Sequence, residues 1–261
     1  MVDRDDALVV SQEEIGEGIY RLIVETPLAL DALPGQFLHV KVAEGFDPLL
    51  RRPISIADAE RKTGRITLIY RVEGRGTALL ARKQKGEKVD ILSPLGQGFP
   101  THLRRPGERT LLVGGGIGVP PLHYLAKVLS SMGVEVVVLL GFAGKGQAIF
   151  IEEFGRLGEV KVSTDDGSLG EKGLVTRFLP EEDEKGWTAL YSCGPTPMLK
   201  GIEARYRGKG KEVYLSLEER MGCGIGACLA CMIPPGEKGK KSYYKICRDG
   251  PVFRLGEVKL S

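Results

Sequence analysis

Tryptophan and histidine are scarce in this sequence, and long hydrophobic runs are missing. The 261 residues contain one Trp and three His. Because no apolar stretch approaches the roughly 20 residues that span a bilayer, we expect no transmembrane helix. The acidic beginning MVDRDDALVV also lacks the apolar core of a secretory signal. These absences favour a cytoplasmic protein with no membrane partner.

A large excess of one charge is also missing. The formal net charge is +3, with 27% charged residues. Lys and Arg are dispersed, and the densest basic stretch, GEKGKK at residues 236–241, is typical of a solvated loop. We therefore expect no nucleic-acid partner. The chain has five cysteines, and a cytoplasmic location disfavours a disulfide framework because thiols stay reduced there.

Residues 1–102 are rich in short segments of alternating or β-branched residues. Turn residues such as Pro34-Gly35 separate five of them, at residues 18–26, 35–42, 51–57, 64–72 and 87–96. Several short strands at this spacing favour an antiparallel closed barrel or a sandwich. The one helix expected in this region covers residues 76–84.

The hydrophobic period changes after the Pro- and Arg-rich stretch at residues 102–109. Across residues 103–217, buried strands alternate with helical segments, which predicts right-handed βαβ units and a parallel sheet. Residues 218–261 form a third region that is rich in Cys and Gly and poor in large apolar residues. Such a short segment buries little core alone, so it needs a metal centre or a neighbour.

A glycine-rich turn follows the first strand of the second region, in LLVGGGIGVPP. Glycines let the backbone approach a phosphate, and the next helix supplies N–H groups at its start. The pattern departs from the dinucleotide fingerprint, because Val119 replaces the third glycine and no acidic residue ends the second strand. A nucleotide site is favoured over a simple tight turn.

A second feature of this region is the segment YSCGPTPML, which places Cys193 at the end of a predicted parallel strand. Ligands bind at this edge of open α/β sheets, so the small thiol could lie against a nicotinamide ring. The simpler interpretation is a buried apolar side chain. A covalent nucleophile is not expected, since no catalytic His partner is apparent.

Two motifs of the β-rich region have anion-binding chemistry. In RRPISI an Arg and a nearby Ser can pair a pyrophosphate and hydrogen-bond a ring, and in GRGTALL a turn precedes a helix. Each alone also fits a strand end or a helix cap. Their position upstream of a nucleotide region favours the binding role.

The cysteine spacing is the strongest signal in the chain. Four cysteines give C-x4-C-x2-C-x15-C, and the leading trio matches plant-type [2Fe–2S] proteins. Small neighbours such as Gly224, Gly226 and Ala227 allow a tight loop with N–H groups aimed at sulfur. A structural zinc or free reactive thiols remain alternatives, although zinc sites usually come as two short paired knuckles.

The order of these motifs resembles the ferredoxin–NADP reductase superfamily. Within it, LLRRPISI, DDGSLG and EERMGCGIGACLAC look closely like the electron-transfer subunits of class 1B dihydroorotate dehydrogenases. The resemblance covers essentially the whole chain. It implies a flavin-binding antiparallel β-barrel (1–102), an NAD-binding α/β domain (103–217) and a small [2Fe–2S] domain (218–261).

The resemblance also implies site residues. Arg52 belongs near the FAD pyrophosphate, Ser55 near the flavin N5, and Ile54 stands where many members have an aromatic residue. The FAD site is expected to contain Arg52, Pro53, Ile54, Ser55, Ile69, Tyr70, Arg71, Gly76 and Thr77. The nucleotide site is expected to contain Gly115, Gly116, Gly118, Gly194 and Pro195, with Cys193 beside the nicotinamide. The cluster ligands are expected to be Cys223, Cys228, Cys231 and Cys247, and Glu218 and Glu219 before them are expected to orient the flavin or the domain.

The implied activity is electron relay from an FMN-containing catalytic subunit that oxidises dihydroorotate, through [2Fe–2S] and FAD, to NAD⁺. A heterotetramer with two copies of each subunit is expected. Two alternatives remain. One is the NAD(P)H-reacting subunit of another flavin and iron–sulfur complex, such as a sulfhydrogenase or transhydrogenase. The other is a zinc-bearing binding module.

Overall fold

The computed structural model describes residues 2–45, 47–181 and 186–260. Its first region is a closed antiparallel barrel of six strands in the order β1-β2-β5-β4-β3-β6. The strands are β1 (Arg4–Gly16), β2 (Ile19–Glu25), β3 (Phe37–Val40), β4 (Arg52–Glu60), β5 (Arg65–Arg71) and β6 (Lys88–Leu95). Alternate side chains fill the interior, where Leu22, Ile56 and Leu68 are fully buried.

The sequence patterns missed part of this barrel. No strand was predicted before residue 18, yet β1 is the longest strand of the barrel. The prediction missed it because most of its residues are polar, and only Ala7 and Val9 alternate toward the core. The helix predicted at residues 76–84 is α1 (Arg75–Leu80). It ends earlier because the chain turns there to begin β6.

The second region is a parallel sheet in the order β10-β9-β8-β7-β11-β12. Its strands are β7 (Arg109–Gly115), β8 (Glu135–Phe142), β9 (Glu159–Thr164), β10 (Glu171–Lys172), β11 (Ala189–Cys193) and β12 (Glu212–Ser216). Its helices are α2 (Val119–Ser131), α3 (Ile151–Gly155) and α4 (Thr196–Tyr206). The segment LVTRFLPEE between β10 and β11 predicts a helix, but its described part contains only the 3₁₀ turn Val175–Phe178.

Helix α2 joins the sheet to the barrel. Pro120 and Pro121 stand in its first turn, where missing N–H groups cost nothing. Tyr124 is buried in the barrel core and donates its hydroxyl to the Ala32 carbonyl at 2.9 Å. The barrel and the sheet therefore share one packed interface.

The third region contains β13 (Met232–Ile233), β14 (Tyr244–Lys245), α5 (Ile246–Asp249) and β15 (Val252–Arg254). Strand β15 pairs antiparallel with β12 and extends the larger sheet by one strand. Tyr244, Ile246 and Phe253 join the same apolar core as Leu215 and Leu217. This short segment thus borrows the core of its neighbour.

The predicted fold class, a barrel followed by a parallel α/β sheet and a small C-terminal segment, is confirmed. The exact domain boundaries remain a prediction. Across the described residues, no helix has both the length and the apolar character that crossing a membrane requires.

Candidate functional site

A cavity of about 220 Å³ lies between the barrel and the chain that follows β12. One wall comes from the neighbouring strands β4 and β5 and the other from Leu217 to Glu219. Most of the predicted flavin residues line it, namely Arg52, Pro53, Ile54, Ser55, Ile69, Tyr70, Arg71 and Thr77. The aliphatic Ile54 and Ile69 face a space that a flat ring could fill.

Gly76, the remaining predicted flavin residue, supports this cavity from behind. A Cβ on Gly76 would come within 2.5 Å of Arg52 Nη2, so only a glycine lets the guanidinium lie against the start of α1. Thr77 holds the adjacent turn, accepting from the Glu73 and Gly74 N–H groups at 3.1 and 3.3 Å. The arrangement places one fixed cation beside a turn of backbone N–H groups, as a pyrophosphate requires.

A second cavity, of about 410 Å³, lies at the carboxyl ends of the parallel strands. Gly115, Gly116 and Pro195 line it, as predicted for the nucleotide site. Other wall residues were not predicted, namely Gly141, Phe142, Ala143, Gln147, Asp165, Leu174, Val175, Thr176, Pro197, Met198 and Gly201. This edge of an open α/β sheet is the usual location of a nucleotide.

Asp165 is an exposed carboxylate in this cavity that the sequence patterns missed. Its backbone N–H donates to the Phe142 carbonyl at 3.1 Å, which places it beside the end of β8. The fingerprint expects an acid at the end of the second strand, whereas Asp165 follows the third strand, β9. The neighbouring Asp166 is used locally, since it accepts from Ser168 N and Oγ at 2.9 and 2.6 Å.

A third cavity, of about 380 Å³, joins the other two. Arg71 lines all three cavities, and Gly116 and Pro195 line both this one and the nucleotide cavity. Gly118 and Gly194, both predicted, lie in its wall. The three spaces therefore form one cleft that runs from the barrel to the sheet edge.

Cys193 lies behind this cleft rather than in its wall. The residue is buried (2% exposed) and belongs to none of the three cavity linings. Burial raises the pKa of the Cys193 thiol, with a smaller contribution from Glu218. A Cβ on Gly118 would come within 2.4 Å of the Cys193 carbonyl oxygen, so the glycine turn packs directly on the end of β11. The raised pKa favours the neutral thiol, and the role of Cys193 beside a nicotinamide remains a prediction.

Glu218 stands where the cleft passes from flavin cavity to nucleotide cavity. Although Glu218 is exposed on the surface of the cleft, desolvation by the surrounding protein raises the pKa of its carboxyl group, the nearby Glu73 raises it further, and Arg71 opposes both. Glu219 lines the same two cavities. The cleft thus contains a carboxyl group that stays protonated to a higher pH than an ordinary glutamate.

The predicted cluster cysteines lie in two pairs between β12 and β15, three of them in the loop before β13 and Cys247 on α5. Cys223 Sγ accepts from the N–H groups of Ala227 and Cys228, each at 3.3 Å, and Cys223 N–H donates to Cys228 Sγ at 3.3 Å. Cys231 Sγ lies 3.2 Å from Cys247 Sγ, and the Cys247 N–H donates to Cys231 Sγ at 3.5 Å.

The chemistry of this donor set fits a metal cluster. Burial raises the pKa of the Cys223 thiol, but the N–H donors of Cys228, Ile225 and Ala227 outweigh it and bring the pKa to about 7. Burial and the neighbouring Cys231 raise that of Cys247 to about 12. In the described ranges, no three His, Cys, Asp or Glu side chains gather as one metal ion requires. A [2Fe–2S] cluster is held by four Cys thiolates, and these four cysteines can supply them.

His39, on β3, lies beneath the cysteine loop. It is fully buried, and burial, together with the Arg51 guanidinium, lowers its pKa to about 4. A Cβ on Gly224 would come within 2.4 Å of its Nδ1. No sequence pattern indicated this residue, because a single histidine in a strand has no periodicity of its own.

Comparisons with known proteins agree with this geometry. A family model described as the iron–sulfur cluster binding domain of dihydroorotate dehydrogenase B matches residues 218–259. The dihydroorotate dehydrogenase B (NAD(+)) electron transfer subunit of Geobacillus thermodenitrificans is 52% identical over 263 residues, covering 100% of both chains. The subunit of that name from Lysinibacillus sphaericus is 49% identical over 260 residues, again covering 100% of both chains.

Solved structures share the architecture. An NADH-dependent reduced ferredoxin-NADP oxidoreductase superposes with a TM-score of 0.85 and 29% identity, covering 98% of this chain and 90% of that chain. The ferredoxin reductase of a carbazole 1,9a-dioxygenase superposes with a TM-score of 0.67 and 21% identity, covering 82% and 69%. The second similarity shows the fold alone.

Proposed function

This chain belongs to the family of dihydroorotate dehydrogenase B electron-transfer subunits, and from that premise we propose that it relays electrons from dihydroorotate oxidation on a catalytic partner subunit to NAD⁺. One observation carries the proposal. The flavin cavity and the nucleotide cavity open into one cleft, and the cysteine loop packs on the same barrel through His39. This arrangement supports a relay that passes from the cysteine loop to the flavin cavity and on to the nucleotide cavity.

Each cofactor supplies a different part of the chemistry. When bound, a [2Fe–2S] cluster on the four cysteines carries single electrons, and FAD in the barrel exchanges these with the two-electron hydride of NAD(H). Arg52 and the turn at Thr77 would hold the FAD pyrophosphate, while Ile54 and Ile69 pack the ring. Gly115 and Gly116 would let the NAD phosphates approach the backbone.

The residues of the cleft would bring the two rings together. Hydride transfer needs reacting atoms about 3–3.5 Å apart, so the walls must exclude water and fix both rings. Gly194 and Pro195 form the wall on the sheet side, and Ser55 and Tyr70 form it on the barrel side. Glu218, whose pKa is raised, would hold a proton at the boundary between the sheet side and the barrel side of the cleft.

Docking of the catalytic subunit is proposed at the cysteine loop. Ile225, Leu229 and Met232 are exposed there by 46%, 46% and 44%, next to the exposed Cys228. Exposed apolar side chains grouped around a redox loop support a protein partner at this face. We propose an FMN-containing partner and an assembly of two copies of each subunit.

NAD⁺ rather than NADP⁺ is the proposed acceptor. The Asp165 carboxylate lies in the nucleotide cavity, where it can accept hydrogen bonds from ribose hydroxyls and repel a 2′-phosphate. This residue supplies the acidic group that the second strand lacks.

The decisive experiment is reconstitution with the catalytic subunit. With dihydroorotate as donor and NAD⁺ as acceptor, the complex is expected to form orotate and NADH in equal amounts, while neither subunit alone does so. If this chain reduces NAD⁺ from a different donor complex and never from dihydroorotate, the alternative of another flavin and iron–sulfur oxidoreductase applies. The structural similarity to the NADH-dependent ferredoxin-NADP oxidoreductase is the observation that favours this alternative.

A further inference from the structure

The imidazole of His39 is a buried polar group whose place in the barrel has no explanation so far. The residue is 0% exposed. Within the described residues, neither Nδ1 nor Nε2 has a hydrogen-bond partner of normal geometry. Leaving buried polar atoms without hydrogen-bond partners destabilises the folded protein. Packing in the barrel core does not explain why a histidine, rather than an apolar residue, occupies this position.

One side of His39 faces the flavin site. In the barrel, His39 pairs with Pro53 on β4 and with Leu92 on β6. Pro53 and its neighbours Arg52 and Ile54 line the flavin cavity. His39 therefore lies directly opposite a residue of β4, the strand that lines the flavin cavity.

The other side of His39 faces the cysteine loop. Gly224, which follows the predicted ligand Cys223, has a φ of +73°. Its missing side chain would point at the imidazole, with the Cβ 2.4 Å from Nδ1 and 3.0 Å from Cε1. Backbone groups of Cys223 and Arg51 lie close to the ring, although outside hydrogen-bond geometry. The loop thus rests on the imidazole at a position where only glycine fits.

We propose that His39 is a positioning residue that couples the flavin-binding barrel to the cysteine loop. Its imidazole packs against the turn at Gly224, and a ring N–H is a hydrogen-bond donor to the loop. This inference rests on the proposed function, because it assigns His39 to the contact between the two redox sites. A hydrogen bond from a ring N–H to the nearby Cys223 backbone would fix the loop against β3, which pairs with the cavity-lining strand β4. It therefore sets both the surroundings of the cysteine sulfurs and the coupling between the two sites.

The test compares His39→Leu, which keeps volume without a donor, with His39→Gln, which keeps an N–H donor. Both are prepared in the full chain without air, and flavin, iron and sulfide contents are measured. In His39→Leu we expect altered electron paramagnetic resonance and visible circular dichroism of the iron–sulfur centre. We also expect reduction of that centre by NADH to slow about tenfold, with flavin reduction within about twofold of the parent. His39→Gln is expected to lie closer to the parent in both spectra and rate.

Substitutions from the loop side provide a matched control. Gly224→Ala would push a methyl group into the imidazole, whereas Gly226→Ala, also at positive φ (+83°), meets the flexible side chain of Arg248. We expect Gly224→Ala to reproduce the spectral change of His39→Leu and Gly226→Ala to produce less of it. Equal effects of the two alanines would mean that backbone strain, rather than the contact with His39, matters.

The outcomes separate this inference from the proposed function. A parent protein without flavin or without iron and sulfide contradicts the proposed function itself. If the parent contains both, and His39→Leu and His39→Gln behave alike, whether both normal or both lacking iron, the donor role of His39 is wrong. A spectrum and rate restored by Gln but not by Leu supports it.

Discussion

The cleft and the cysteine loop are built in opposite ways. The cleft collects residues from β4, β5, β7 and β8 and from the turns that follow β9 and β11, which are far apart in the chain and meet only through sheet order. The cysteine loop takes three of its four sulfurs from residues 223–231 and depends on glycines and backbone N–H donors. Strand-built walls hold their shape without a ligand, whereas the loop has little apolar packing of its own. We therefore expect damage to the loop to leave the cleft intact, and damage to the cleft to leave the loop intact.

The sharpest separation of the two regions comes from Cys228→Ser. An oxygen ligand in place of this exposed thiol should disable the cluster, so we expect dihydroorotate-linked NAD⁺ reduction in the complex to fall by about a hundredfold or more. Because the cleft is untouched, flavin content and NADH–dye activity should stay within about twofold of the parent. Steady-state assays of both activities check this. Survival of the coupled rate would contradict the relay role of the loop.

The converse substitution is Gly118→Ala. Its φ allows alanine, but the Cβ would meet the Cys193 carbonyl at 2.4 Å, and such overpacking costs about 1–3 kcal/mol. We expect the affinity for NADH to fall about tenfold while iron and sulfide contents are unchanged. Titration of the flavin absorbance with NADH measures it. Gly155→Ala is the matched control, since nothing lies within 4 Å of that Cβ, and it should behave as the parent.

A smaller change within the cleft alters selectivity. In Asp165→Asn, one charged acceptor for a ribose hydroxyl is lost, and a charge-assisted hydrogen bond is worth about 1.5–3 kcal/mol. We expect the preference for NADH over NADPH to fall about tenfold, through weaker binding of the ribose hydroxyl together with less repulsion of the 2′-phosphate. Binding of ADP-ribose and of its 2′-phosphate, followed by calorimetry, reports this without any redox step. An unchanged ratio of the two affinities would exclude Asp165 as the selectivity residue.

The smallest expected effect is a pH dependence of stability. Desolvation by the surrounding protein and the nearby Glu73 raise the pKa of Glu218 in the folded protein. The stability that its protonated form contributes is therefore complete in acid and is lost as pH rises through the raised value. Glu218→Gln cannot ionise. We therefore expect its melting temperature to match the parent near pH 4 and to exceed it increasingly toward pH 8. A constant difference across that range would show that the carboxyl is not perturbed.

The contrast between the cysteine loop, which is local in sequence, and the cleft, which is assembled from distant strands, also explains which site residues the sequence could predict. The cysteine loop was predictable because the chemistry is local, with spacing and small residues visible in one segment. Arg52 to Ser55 and Gly115 to Gly118 were also recognisable, since each motif is a continuous strand end or turn. Asp165 was missed because the expected acid belongs to the second strand, and only the order β9-β8-β7 brings the end of the third strand to the same cavity.

His39 could not be predicted for a different reason. Its significance comes from a contact between β3 and a loop that lies far away in the sequence, and from the absence of a side chain at Gly224. Neither a period nor a motif records such a contact. Residues that connect two sites, unlike those that form one, become visible only when the packing is known.

The most direct measurement of the central claim is anaerobic addition of NADH to the purified chain, followed by visible absorption and low-temperature electron paramagnetic resonance. We expect loss of oxidised flavin absorbance together with the signal of a reduced [2Fe–2S] centre, at two irons and two acid-labile sulfides per chain, as the four cysteines imply. A colourless protein that contains one zinc and gives no signal would contradict the relay and leave the binding-module alternative.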